Sequence, residues 1–276
     1  MRRPFSAAFQ RRAAIDEWDD AASPDPAGLI FHMSRCGSTL LSQMLKAIAG
    51  VTVFSEAAPV DMVVRASEFG IDASEEQHAR WLRAVVRALG SGFAHRAYVL
   101  KLDCWHAVDL PLFRRAFPAV PWIFVYRDPL EVLASHGAEP AEWTDRGFLK
   151  AERFGFDAAA IPPAALAEYR THLLVGILRR VVEYAGEGEG HLLNYSQLPE
   201  WGWTTLPRVF GVDPSAQEIA AMRDVATHDA KRSAFAFAPD AERKRAVASA
   251  ELRALSEAHL DPLYWKLEAR NRLQEV

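Results

Sequence analysis

Gly28-Leu29-Ile30-Phe31-His32-Met33-Ser34-Arg35-Cys36-Gly37-Ser38-Thr39-Leu40-Leu41 changes character twice within one short run. Leu29 to Met33 is continuously apolar, as expected of a strand buried on both faces. Beyond Gly37 the apolar positions become Leu40, Leu41, Met44, Leu45 and Ile48, the spacing of one helix face, and Gly50 stops the pattern. Ser34 to Thr39 therefore forms a tight loop between a strand and a helix. Such a turn directs backbone N–H groups and the positive end of the helix at an anion. Gly37 allows close approach, and Ser38 and Thr39 add hydroxyl donors in the first helical turn.

The same unit recurs along the chain. Val51-Thr52-Val53-Phe54 is β-prone and precedes a helical segment from about Val60 to Ser67. A second helix, from Glu75 to about Leu89, is expected to stop at Gly90. Tyr98 to Leu102 and Trp122 to Tyr126 read as strands, with a short helix from Leu110 to Phe117 between them. Residues 140–188 lose the strand pattern, and Ala164 to Tyr184 reads as one long helix. His191 to Tyr195 is the last strand candidate. A short helix at Leu206 to Phe210 ends at Gly211, and the charged remainder is helical. Strands alternating with helices predict an α/β three-layer sandwich around a mostly parallel sheet. One domain over residues 1–276 is the economical division, with 1–27 as an N-terminal extension and 213–276 as a helical C-terminal part.

Bulk properties narrow the function. The 276 residues carry a formal net charge of −4, which gives no basic excess for a nucleic-acid polymer, although Arg243-Lys244-Arg245 is a local basic cluster. No stretch approaches the roughly 20 apolar residues of a membrane span. Cys36 and Cys104 are the chain's 2 cysteines, too few for a disulfide framework or a metal cage, so a reducing, cytoplasmic setting is expected.

Aligned on the nucleotide-binding pattern GxxxxGK[ST], the loop has His32 at the first glycine and Ser38 where the lysine belongs. A cation stands instead at Arg35, two residues before Gly37. A basic residue followed by x-Gly-[Ser/Thr]-[Ser/Thr] resembles the 5′-phosphosulfate loop of sulfotransferases that use 3′-phosphoadenosine 5′-phosphosulfate (PAPS). A second motif is similar to the same family: strand 122–126, then Arg127-Asp128-Pro129, then Ser135. Arg127 leaves the C-terminal end of the strand, and Pro129 starts a helix where its missing N–H is tolerated. Ser135 then faces back about two turns later. The third likeness, at Asn194-Tyr195-Ser196-Gln197-Leu198-Pro199 and Val209-Phe210-Gly211-Val212, departs from the family by placing Ser196 where glutamate is usual.

The resemblance covers about residues 28–212 and implies a P-loop-type α/β fold and transfer of a sulfuryl group from PAPS to a hydroxyl or amine acceptor. It implies that Arg35, Cys36, Gly37, Ser38, Thr39 and Leu40 hold the 5′-phosphosulfate, and that Arg127 and Ser135 hold the 3′-phosphate. Tyr195 would lie near the adenine, and Lys231 and Arg232 are placed where the family supplies a late basic segment. For catalysis it implies Arg35 and Lys101 as the cations that stabilise the leaving oxygen. Glu56 or Asp103 would be the base, with Glu56 favoured. His106 follows Asp103 closely, but a lone histidine is more often structural. Trp201 and Trp203, read as a loop, either line an acceptor pocket or pack on the sheet. No metal is expected, because Arg127 stands where a magnesium-binding carboxylate would end the strand. The acceptor, a small molecule or a saccharide, has no readable code, and neither does the oligomeric state. Two other functions compete: a P-loop kinase using ATP, and a non-catalytic protein that binds 3′-phosphonucleotides.

Overall fold

Five short apolar runs become the strands of a single sheet in the computed structural model, which describes residues 24–91, 96–185, 190–228 and 241–274. These are β1 (Gly28–His32), β2 (Val51–Ser55), β3 (Ala97–Lys101), β4 (Trp122–Tyr126) and β5 (Gly190–Asn194). The order is β2-β3-β1-β4-β5 and every pairing is parallel. Every residue of β1 and β4 is buried, which is why those segments are apolar but for His32 and the Tyr126 hydroxyl. Edge strand β2 instead alternates, with Val51 and Val53 buried and Ser55 exposed. Chain order reverses at β1, which is flanked by β3 and β4. The loop at its C-terminal end therefore lies at the topological switch point, where α/β sheets bind ligands.

The helices are α1 (Ser38–Lys46), α2 (Ala58–Val64), α3 (Glu75–Ser91), α4 (Leu110–Ala116), α5 (Pro129–Ala138) and α6 (Leu166–Tyr184). They continue with α7 (Glu200–Thr204), α8 (Leu206–Val209), α9 (Ala216–Val225), α10 (Ala241–Val247), α11 (Ala250–Leu255) and α12 (Asp261–Gln274). Gly90 lies inside α3, whose described residues run to Ser91, and it packs on the Tyr98 ring. One expectation is corrected. Trp201-Gly202-Trp203 is a helical turn within α7 rather than a loop, and neither tryptophan lines the cleft described below. Trp203 lies under the Arg223 guanidinium at 5.4 Å.

The charged C-terminal part has a structural task that its composition does not reveal. Gln274 on α12 accepts a hydrogen bond from the Leu192 N–H at 2.8 Å and donates one to the Gly190 carbonyl at 2.8 Å. It thus satisfies the open edge of β5, where unpaired strand groups would otherwise recruit another chain. Asn271 and Glu268 continue the attachment through Tyr126 and Asn194. No helix among the described residues is long and apolar enough to cross a membrane.

Gly176 sits mid-way along α6, where a helix normally prefers alanine. A Cβ there would lie 2.7 Å from both the Cβ and the carbonyl oxygen of Phe154. Alanine would gain about 1 kcal/mol in helix propensity, but overpacking against backbone costs about 1–3 kcal/mol. Gly176→Ala is accordingly expected to lower the denaturant midpoint without changing the slope of unfolding, whereas an exposed helical glycine would show the reverse.

Candidate active site

The loop after β1 is built from backbone conformations that L-residues rarely adopt. Ser34, Arg35 and Gly37 have φ values of 75°, 51° and 88°. One side chain holds this turn. The Ser34 N–H donates to His32 Nδ1 at 3.1 Å, which leaves the proton on Nε2 to be donated to the Leu102 carbonyl at 3.0 Å. Gly37 is required twice over: its φ is left-handed, and an added Cβ would meet the Tyr195 ring at 2.8 Å. It is also the N-cap of α1, which has neither a side-chain cap nor an acidic residue in its first turn. An anion is the natural partner of such an end. Cys36 is fully buried, donates its S–H to the Val125 carbonyl, and has its pKa pushed up to about 11 by burial. It is a packing residue of the loop, not a nucleophile.

Two further strand ends meet this loop. Glu56, directly after β2, also has a left-handed φ of 52°, and its N–H donates to the Lys101 carbonyl at 2.7 Å. Its carboxylate Oε1 accepts a hydrogen bond from Lys101 Nζ and lies 3.8 Å from His32 Nε2. Lys101 is only 4% exposed, so Glu56 supplies the counter-charge that a lysine buried in a strand needs. The pairing brings together the two residues expected to share the chemistry.

The motif after β4 also comes together. Asp128 caps α5 by accepting from the N–H groups of Leu130 and Glu131, with Pro129 in the first helical turn. The Arg127 guanidinium is buried, donates from Nε to Glu131 Oε2 at 2.5 Å, and stands 4.1 Å above the Tyr195 ring. Ser135 lines the same cleft. Arg35 reaches across to Glu139 just beyond α5, donating to its carboxylate and its carbonyl, each at 2.8 Å.

Together these residues line one cleft of about 1030 Å³. It includes Arg35, Cys36, Gly37, Ser38, Thr39, Leu40, Glu56, Lys101, Arg127, Ser135 and Tyr195, so those expected site residues converge. Lys231 and Arg232 lie outside the described residues. Arg243 and Lys244 on α10 do line the cleft, and they were not among the expected site residues. Arg245, beside them, pairs with Asp128 and with Glu131 at 2.9 Å each, fastening α10 to the start of α5. The triple basic run was visible in the sequence, but nothing local tied it to a loop some two hundred residues earlier.

The aromatic lining of the cleft has no signal in the sequence. Trp105, Trp143 and Phe148 form its wall, with ring centroids 6.2 Å and 5.8 Å from Trp105. Trp105 and His106 both donate to Asp61, at 2.8 and 3.0 Å, and these hydrogen bonds outweigh burial to hold the Asp61 carboxyl below its usual range. His106 is thereby a buried structural residue. Asp103 is 8% exposed and lines the cleft. Burial, reinforced by the neighbouring Glu56 and Asp61 charges and opposed by His106, pushes its pKa up to about 6.

A carboxyl with a raised native pKa binds protons more tightly folded than unfolded. Asp103 therefore costs stability that appears as pH rises from the ordinary aspartate value of 3.8 through about 6. Asp103→Asn should stabilise the protein by about 1–3 kcal/mol above that window and leave it unchanged near pH 4. Thermal melts at the two pH values check the sign.

No family model matches this sequence, and no curated relative matches it. Solved structures do. A sulfotransferase from Mycobacterium avium superposes with a TM-score of 0.54 and 16% identity, over 91% of this chain and 80% of that one. The sulfotransferase domain of the Synechococcus PCC 7002 olefin synthase gives 0.52 and 16% identity, over 87% of this chain and 96% of that one. The α/β architecture read from the sequence, a central parallel sheet flanked by helices, is thus the fold shared with these sulfotransferases.

Proposed function

We propose that the chain transfers a sulfuryl group from PAPS to a hydroxyl acceptor. The observation that carries this reading is the composition of one cleft: an anion-accepting loop, a buried arginine stacked on a tyrosine, and a carboxylate–lysine pair, each at the C-terminal end of a different strand. The residues fit the donor. An uncapped helix end and the hydroxyls of Ser38 and Thr39 suit the 5′-phosphosulfate. Arg127 and Ser135 suit the 3′-phosphate, with Arg243 and Lys244 of the same cleft adding positive charge from α10. Tyr195 offers a ring face for the adenine. The sequence places Ser38 where a kinase of this fold needs lysine, which disfavours ATP chemistry.

PAPS supplies an activated sulfuryl group on a good leaving phosphate. The chain's part is to place the acceptor oxygen in line with that phosphate and to move one proton. Glu56 is the proposed base and takes the acceptor's proton as the new O–S bond forms and the old one breaks. Lys101 orients that carboxylate and offsets charge developing on the bridging oxygen. Arg35 serves the same charge once its guanidinium leaves Glu139.

Calorimetry tests the donor assignment. 3′-Phosphoadenosine 5′-phosphate should bind far more tightly than 5′-AMP or ATP with magnesium. Arg127→Ala should weaken it by about 100-fold, within the worth of one charge-assisted hydrogen bond, while 5′-AMP changes far less. Preference for ATP would overturn the assignment. With an acceptor in hand, Glu56→Gln should lower turnover by at least about 100-fold at unchanged nucleotide affinity; unchanged turnover would remove Glu56 as the base.

A further inference from the structure

Asp103 occupies the N-cap position of the turn Cys104–Asp109, a place where aspartate ordinarily binds the following N–H groups, yet its carboxylate makes no capping hydrogen bond. Among the described residues no group donates a hydrogen bond to it. The nearest candidate, His106 Nε2, is 3.8 Å away and directs its own hydrogen bond to Asp61 at 3.0 Å. Lys101, two residues earlier, is held by Glu56. A carboxylate this buried is costly unless something compensates it. This one faces the cleft.

Its surroundings indicate what would compensate it. Trp105 sends its indole N–H to Asp61, so its ring is what it offers the cleft, beside Trp143 and Phe148. Glu142, exposed at the mouth, adds a second negative charge next to Trp143. Among the described residues no cleft-lining cation comes from 103–105 or 142–148, and Arg65, 5.5 Å from the Phe148 ring centroid, is already matched by Asp61 and Glu68. The cations come instead from the loop, the ends of β3 and β4, and α10. Aromatic faces together with carboxylates attract an organic cation and repel an anion.

We propose that the acceptor is a hydroxyl compound built on a ring and carrying a protonated amine, the ring lying against Trp105 and Phe148 and the ammonium taken by Asp103. This rests on the sulfuryl-transfer reading above and narrows it to an acceptor class.

The test uses the full chain saturated with 3′-phosphoadenosine 5′-phosphate, so that acceptor binding is read without turnover. Tyramine, 4-ethylphenol and 4-hydroxyphenylacetate share a phenol and differ in charge. Tyramine should bind at least about 10-fold more tightly than 4-ethylphenol, and the anion more weakly than both. Tyramine affinity should fall when pH is lowered through about 6, as Asp103 takes up a proton, while 4-ethylphenol stays level. The other titratable and charged groups facing Asp103 are Glu56, Lys101, His106 and Asp61, so Asp103→Asn is the control. It should abolish both the amine preference and its pH dependence, leaving the nucleotide and 4-ethylphenol affinities unchanged. Equal affinities for the three phenols, no binding by any of them, or an amine preference that survives Asp103→Asn would each overturn the proposal. A chain that fails to bind the nucleotide in the first titration fails the donor reading instead, and the two failures are distinguishable.

Discussion

One imidazole joins three of the four strand ends that line the cleft. His32 uses Nδ1 to accept the Ser34 N–H and Nε2 to donate to the Leu102 carbonyl, tying the loop after β1 to the end of β3. The same Nε2 stands 3.8 Å from Glu56, at the end of β2. Backbone strain is concentrated around this ring: the non-glycine residues with left-handed φ among those described are Ser34, Arg35 and Glu56. Conformations of this kind cost on the order of 1–3 kcal/mol each and persist where the surroundings over-determine them. Here the ladder of β1 with β3 and β4 and the two hydrogen bonds of His32 supply that determination.

The strand–loop–helix unit was legible because both of its flanks are periodic and its middle contains glycine. The Arg127 to Ser135 motif was legible for a related reason. Pro129 and Asp128 mark a helix start, and the spacing along that helix sets where Ser135 faces. Glu56 and Lys101 could be nominated only singly, since their pairing depends on β2 and β3 lying side by side. Register then places Ser55 opposite Lys101. The roles of α10 and α12 were not legible. Arg245 acts on residues more than a hundred positions earlier, and Gln274 caps the edge of a strand, so both depend on tertiary placement.

Charge is distributed unevenly along the cleft. Arginines and lysines gather where phosphate and sulfate groups would lie, while buried or half-exposed carboxylates stand next to the aromatic wall. Within this arrangement some charges are matched internally, as in Arg35 with Glu139, Lys101 with Glu56 and Arg127 with Glu131. Exchange of the internal partner for a bound one lets a ligand enter without leaving a buried charge exposed to an apolar wall. Among the described residues Asp103 has no such close match, His106 Nε2 being 3.8 Å away and committed to Asp61, and burial pushes its pKa up to about 6. The stability forgone at that residue is consistent with a group kept for binding.

The central claim is that a 3′-phosphorylated nucleotide spans the cleft from the loop after β1 to the start of α5. A crystal structure of the complex with 3′-phosphoadenosine 5′-phosphate tests it most directly. The account predicts the 5′-phosphate on the backbone amides around Gly37 and Ser38, the 3′-phosphate within hydrogen-bond reach of Arg127 and Ser135, and Arg35 released from Glu139. A nucleotide bound in the opposite direction, or outside this cleft with Arg127 still paired with Glu131, would contradict it.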